Sequence, residues 1–87
     1  MNPQNRLTFI SSFLALETLV QAIDAQHHAG GEEAAAANAA AYAYSAAVDS
    51  GYEVNDLTVE HHLDYLYSKG CDFDRATAME YAKVNYL

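Results

Sequence analysis

The chain has 87 residues, with 12 carboxylates against 4 Lys and Arg and a net charge of −8. That length builds one domain, residues 1–87, around one modest core, and a surface this acidic repels phosphate backbones and anionic membranes, which argues against direct nucleic-acid binding and membrane association. A single cysteine, Cys71, excludes an internal disulfide and fits a reducing, cytoplasmic setting.

The stretch from Leu7 to Ile23 is apolar but interrupted by Thr8, Ser11, Ser12, Glu17, Thr18 and Gln21. It has neither the clean apolar run expected of a secretory leader nor the roughly 20 consecutive apolar residues of a membrane span. It reads as a long amphipathic helix. Asn2 suits its cap and Pro3 its first turn. Phe9, Phe13, Leu16, Val20 and Ile23 follow spacings of 4, 3, 4 and 3, the seam of a helix that packs lengthwise against another. Ile10 and Leu14 widen the stripe, and Gly30 and Gly31, after His27 and His28, stop the helix.

The second predicted helix opens on Glu32 and Glu33, whose carboxylates complement the positive end of the helix dipole. It then runs through an alanine-rich tract to Ala47, in the residue type with the strongest helix propensity. Ala37, Ala41 and Ser45 lie four apart and leave a shallow groove for close helix approach. Asp49, Ser50 and Gly51 form a stop, and Tyr52 to Leu57 reads as a connector. Thr58 is predicted to cap a third helix, with Val59, Leu63 and Leu66 on one face and Gly70 at its end. Asp74 is predicted to cap a fourth, with Phe73 stapled onto Ala78 and with Met79, Ala82 and Tyr86 inward.

The expected fold is all-α, a small bundle of about four helices, the first long and amphipathic and the second alanine-rich. Heavy side chains on the first helix facing mostly methyl groups on the second would leave a thin core in one chain. The sequence therefore predicts a homodimer formed through Phe9, Phe13, Leu16, Val20 and Ile23.

Chemical motifs are sparse. Gly30 and Gly31 are adjacent rather than spaced for phosphate binding, and no cysteine pair exists for zinc. Asp72 and Asp74 beside Cys71 oppose thiolate formation. His61 and His62 would point roughly 100° apart on a helix and share no ligand easily. His61 with Asp64, and His27 and His28 with Glu32 and Glu33, form loose clusters without a known ligand spacing, so no metal and no cofactor is expected. No nucleophile, base and orienting group stand at a recognisable spacing, and no enzymatic activity is expected.

The chain has seven tyrosines and no tryptophan, and three of them, Tyr52, Tyr65 and Tyr67, are interleaved with acids between Asp49 and Glu80. Tyrosine combines large contact area with a polar tip and is enriched at interfaces. The predicted partner-binding surface is Tyr52, Glu53, Asp56, Glu60, Asp64 and Tyr65, meeting an Arg or Lys patch through ion pairs and cation–π contacts.

Two resemblances bear on this surface. Leu63, Leu66, Gly70 and Ala76 fall near the leucine, leucine, glycine and alanine positions of the ubiquitin-associated domain, and the last third of the chain resembles that family. Lys69-Gly70-Cys71 replaces its Met-Gly-Phe loop, which removes the apolar loop used for ligand binding. In size, charge and lack of catalytic motif, the whole chain resembles small phage-encoded inhibitors of host defence such as anti-CRISPR proteins. Some of these present carboxylates where a target expects phosphates. No residue pattern carries this second resemblance; it implies an inhibitor of a basic, nucleic-acid-binding protein, acting in the host cytoplasm. Two other readings stay open: a homo-oligomeric helical structural or regulatory protein acting by assembly, and a small-ligand binder at a subunit interface.

Overall fold

The computed structural model describes residues 16–87. It contains four helices, α1 (Leu16–His28), α2 (Glu32–Asp49), α3 (Asp56–Ser68) and α4 (Arg75–Asn85), and no strand among the described residues. Asn2, Pro3, Phe9, Ile10, Phe13 and Leu14 lie outside the described residues, and so does the predicted start of the first helix. No helix among the described residues is long and apolar enough to cross a membrane.

The alanine-rich helix is the centre of the bundle. α2 packs against α1, α3 and α4, and α3 also meets α4. Every residue from Ala35 through Ala41 is buried, which covers all sides of the helix for almost two turns. Methyl groups permit this, because three neighbours can approach only where no long side chain holds them away. The neighbours supply the volume: Leu19 and Ile23 from α1, Val59, Leu63 and Leu66 from α3, and Phe73 before α4 are all at most 4% exposed.

This arrangement corrects the expectation of a thin core. Small residues on one helix meet large ones from three sides, so a single chain closes its own interior. Val20 and Ile23, assigned above to a second copy, lie in that interior at 8% and 0% exposure, and Leu16 packs against it half-buried. The groove residues Ala37 and Ala41 are likewise covered, while Ser45 is exposed. One polar residue enters the centre. Asn38 is buried, and its side-chain nitrogen donates to Gln26 Oε1 at 3.0 Å, fastening α2 to α1.

Two helix ends share one mechanism. After α1 the Gly30 N–H donates to the His27 carbonyl at 3.2 Å and the Gly31 N–H to the Gln26 carbonyl at 2.9 Å. After α3 the Gly70 N–H donates to Tyr67 at 3.0 Å and the Cys71 N–H to Leu66 at 3.3 Å. Both are Schellman closures, and both need a left-handed residue, supplied by Gly30 at φ 91° and Gly70 at φ 88°. Cys71 and Leu66, the apolar pair of the second closure, are both buried.

The start of α3 differs from the predicted one. Asn55, not Thr58, is the cap, and Asp56 and Leu57 are helical. The Thr58 N–H donates to Asn55 Oδ1 at 3.0 Å and the Asn55 N–H donates to Thr58 Oγ1 at 2.9 Å. Thr58 thus takes the reciprocal place that glutamate usually fills in a capping box. At α4 the predicted cap is observed: Asp74 Oδ1 accepts from the Thr77 N–H at 3.1 Å, with Phe73 and Ala78 both buried in the core.

Candidate functional site

A row of carboxylates lines the edge where α3 and α4 lie side by side. Asp56, Glu60 and Asp64 are four apart on α3, so they form one row with steps of about 6 Å along the helix. All three are exposed. The antiparallel neighbour places cations at both ends of that row. Lys83 Nζ is 3.6 Å from Asp56 Oδ2, and Arg75 pairs with Asp64. Glu60, between them, borders Ala76 and Met79 of α4 and has no ion pair among the described residues. Asp74 at the α4 cap and Glu80 on its outer face extend the negative surface. Glu33 adds to it across a groove shared with Glu80 and Tyr81.

The expected tyrosine anchors divide around this edge. Tyr52 is 73% exposed in the turn before α3, next to exposed Glu53. Tyr65 lies roughly 140° around α3 from Glu60, on the flank towards α2. There Lys69 Nζ stands 5.3 Å from its ring centroid. Tyr67, which the sequence reading passed over, shares the flank of Glu60, because seven residues nearly complete two turns. It is 51% exposed, packs edge-on against Phe73 and carries Arg75 at 5.5 Å from its ring. The spacing from Glu60 to Tyr67 was the signal that could have found it.

Four of the other tyrosines serve the fold. Tyr44 and Tyr86 stack with centroids 4.6 Å apart, and Tyr81 meets Tyr86 edge-on at 6.0 Å. Burial, and then the neighbouring Tyr81 and Tyr44, push the Tyr86 hydroxyl above the ordinary tyrosine range. Tyr42 is half-buried and shifts the same way, through burial first and Tyr65 second. Every cation among the described residues is engaged within the chain: Lys69 with Tyr65, Arg75 with Asp64 and Tyr67, Lys83 with Asp56.

The histidines do not group as the sequence suggested. His27 and His28 face Asp24 and Asp72 rather than Glu32 and Glu33. His61 and His62 stand edge-to-face at 5.3 Å, and His62 is held below the usual imidazole range by burial first and His61 second. Cys71 is buried, and burial followed by Asp24 and Asp72 pushes its thiol up to about 12. It is a packing residue whose burial and acidic neighbours disfavour the thiolate.

The residues of the ubiquitin-associated resemblance occupy structural places. Leu63 and Leu66 are core, Gly70 closes α3, and Ala76 is exposed on α4. Compared with protein-family models, curated proteins and solved structures, the chain shows no match.

Proposed function

We propose that the chain is a small acidic protein-binding inhibitor that engages a basic, nucleic-acid-binding partner through the α3–α4 edge. The observation that supports this reading is the exposed row Asp56, Glu60 and Asp64 on one rigid helix. Regularly spaced negative charge along a line is also what a nucleic-acid backbone offers its protein partners. An Arg or Lys groove built for phosphates would meet carboxylates instead, with Tyr67 and Tyr52 as the contact rings at its margins.

The internal pairs do not obstruct such docking. The Asp56–Lys83 and Asp64–Arg75 pairs are about half-exposed. Exposed pairs contribute about 0–1 kcal/mol each, so an incoming guanidinium can displace them at small cost. Glu60 is the first point of contact because it has no cation of its own to release among the described residues. The assembly reading is less favoured, since Val20 and Ile23 are already covered within one chain, while Phe9 and Phe13 lie outside the described residues. The ligand reading fares similarly, since Tyr44, Tyr81 and Tyr86 stack on one another.

The test is a pull-down from host lysate at low and high salt, with the wild-type chain and a Glu60→Lys/Asp64→Lys variant. A basic nucleic-acid-binding protein should be retained by the wild type at low salt and released as salt rises. The variant should not retain it. Equal retention by both chains, or retention unaffected by salt, would refute the proposal.

A further inference from the structure

A second cluster lies apart from the α3–α4 row, where the end of α1 meets the loop between α3 and α4. Asp24 and His28 are four apart on α1 and share a face. Asp72 comes from the loop, 48 residues beyond Asp24. Its backbone N–H donates to Asp24 Oδ1 at 2.9 Å, which fixes the loop against the helix and holds the Asp24 carboxylate in place. His28 Nε2 then stands 3.2 Å from Asp72 Oδ2 and 3.6 Å from Asp24 Oδ1. One ligand atom from each of the three residues lies within 4.8 Å of the other two.

We propose that Asp24, His28 and Asp72 form a binding site for a divalent cation of the zinc class. Ligand bonds of about 2.0–2.1 Å in a tetrahedron put neighbouring ligand atoms about 3.3 Å apart. Two of the three separations already bracket that value, at 3.2 and 3.6 Å. The third closes by rotation of the Asp72 carboxylate, whose side chain is 47% exposed, while Asp24 stays held by its backbone hydrogen bond. An imidazole nitrogen with two carboxylates favours zinc, nickel or cobalt over magnesium and calcium, which prefer all-oxygen shells.

Three protein ligands leave a fourth position for water or for a group from outside, the pattern of an open rather than a closed site. His27 lies beside the cluster. Its Nε2 is 3.9 Å from the same Asp72 oxygen, and its Nδ1 is buried without a hydrogen-bond partner among the described residues. The adjacent histidines converge because a carboxylate from outside the helix reaches both rings. A cation bound here would clamp the end of α1 to the loop that leads into α4.

The experiment is calorimetric titration of the untagged chain with zinc sulfate, together with thermal melts with and without zinc and after EDTA. Saturable one-to-one binding is expected, with a melting temperature that rises with zinc and returns after EDTA. Asp72→Asn and, separately, His28→Gln should each weaken binding tenfold or more. His28 is 61% exposed in its side chain, so its substitution leaves the core intact and keeps the test valid if Asp72→Asn impairs folding. His61→Gln should leave the affinity unchanged. Absence of heat and of any thermal shift would overturn the site. So would a zinc affinity that is unchanged by His28→Gln, or that is lost in His61→Gln.

Discussion

Enlarging one central alanine tests the architecture directly. Ala39 is fully buried on α2 and belongs to the core cluster. Alanine and leucine have nearly the same helix propensity, so Ala39→Leu leaves the backbone preference almost unchanged and adds only volume. That volume has nowhere to go, because α2 is enclosed by three helices and its neighbours along the chain are buried as well. Overpacking of this kind costs about 1–3 kcal/mol. Unfolding entropy of about 2.1 cal/mol/K per residue gives about 0.18 kcal/mol/K for this chain, so the melting temperature should fall by about 5–16 °C. Thermal unfolding followed by circular dichroism at 222 nm (about the helix minimum) reads this shift. Ser45→Leu, on the exposed side of the same helix, is the control and should change stability by less than about 0.5 kcal/mol. An Ala39→Leu chain as stable as the wild type would show that α2 is not the wedged centre and would refute the packing argument.

Further expectations concern single groups. Asn55→Ala removes one half of the capping box at α3 and should destabilise the chain by about 0.5–2 kcal/mol, measured by urea unfolding; Thr58→Ala should do the same through the other half. The Cys71 thiol, pushed up to about 12, should resist alkylation at pH 8 in the folded chain and react promptly once urea unfolds it. The folded state favours the protonated thiol, so this contribution to stability is complete below the unfolded thiol pKa and is lost as pH rises towards about 12. Tyr42 and Tyr86 act in the same alkaline direction. Cys71→Ala should flatten the alkaline fall in melting temperature, and an unchanged pH profile would remove the thiol from the account. Charge reversal at Glu60 and Asp64 should abolish partner retention, and His28→Gln should weaken zinc binding tenfold or more, as set out above.

Much of the local structure was legible because it depends on short-range chemistry. Gly30 and Gly70 mark helix ends in any context that needs a left-handed residue, and Asp74 before Arg75-Ala-Thr77 reads as a cap from the residues alone. Val59, Leu63 and Leu66 announce an inward face by spacing. The error at Thr58 has a local reason too. Both Asn55 and Thr58 are good caps, and each bonds the backbone N–H of the other, so sequence cannot say which residue stands outside the helix. The candidate sites were only half legible. Glu60 and Asp64 share a face at a spacing of four, but Asp56 joins the row only because α3 begins one residue after Asn55 rather than at Thr58, and the cations Lys83 and Arg75 are supplied by another helix. Asp24 and His28 also share a helix face at that spacing, yet the pair gains meaning only from Asp72.

The sequence by itself determined that this chain is acidic, helical and divided by glycine stops, because charge, propensity and capping act within a few residues of one another. Only the tertiary structure decided that the alanine helix lies in the middle rather than at an edge, and that one chain can fill its own core. It also decided which distant residue joins His28. Those outcomes depend on which helices surround which, and on the separation left between them when methyl groups meet leucine, isoleucine and phenylalanine; neither quantity is encoded in any local spacing.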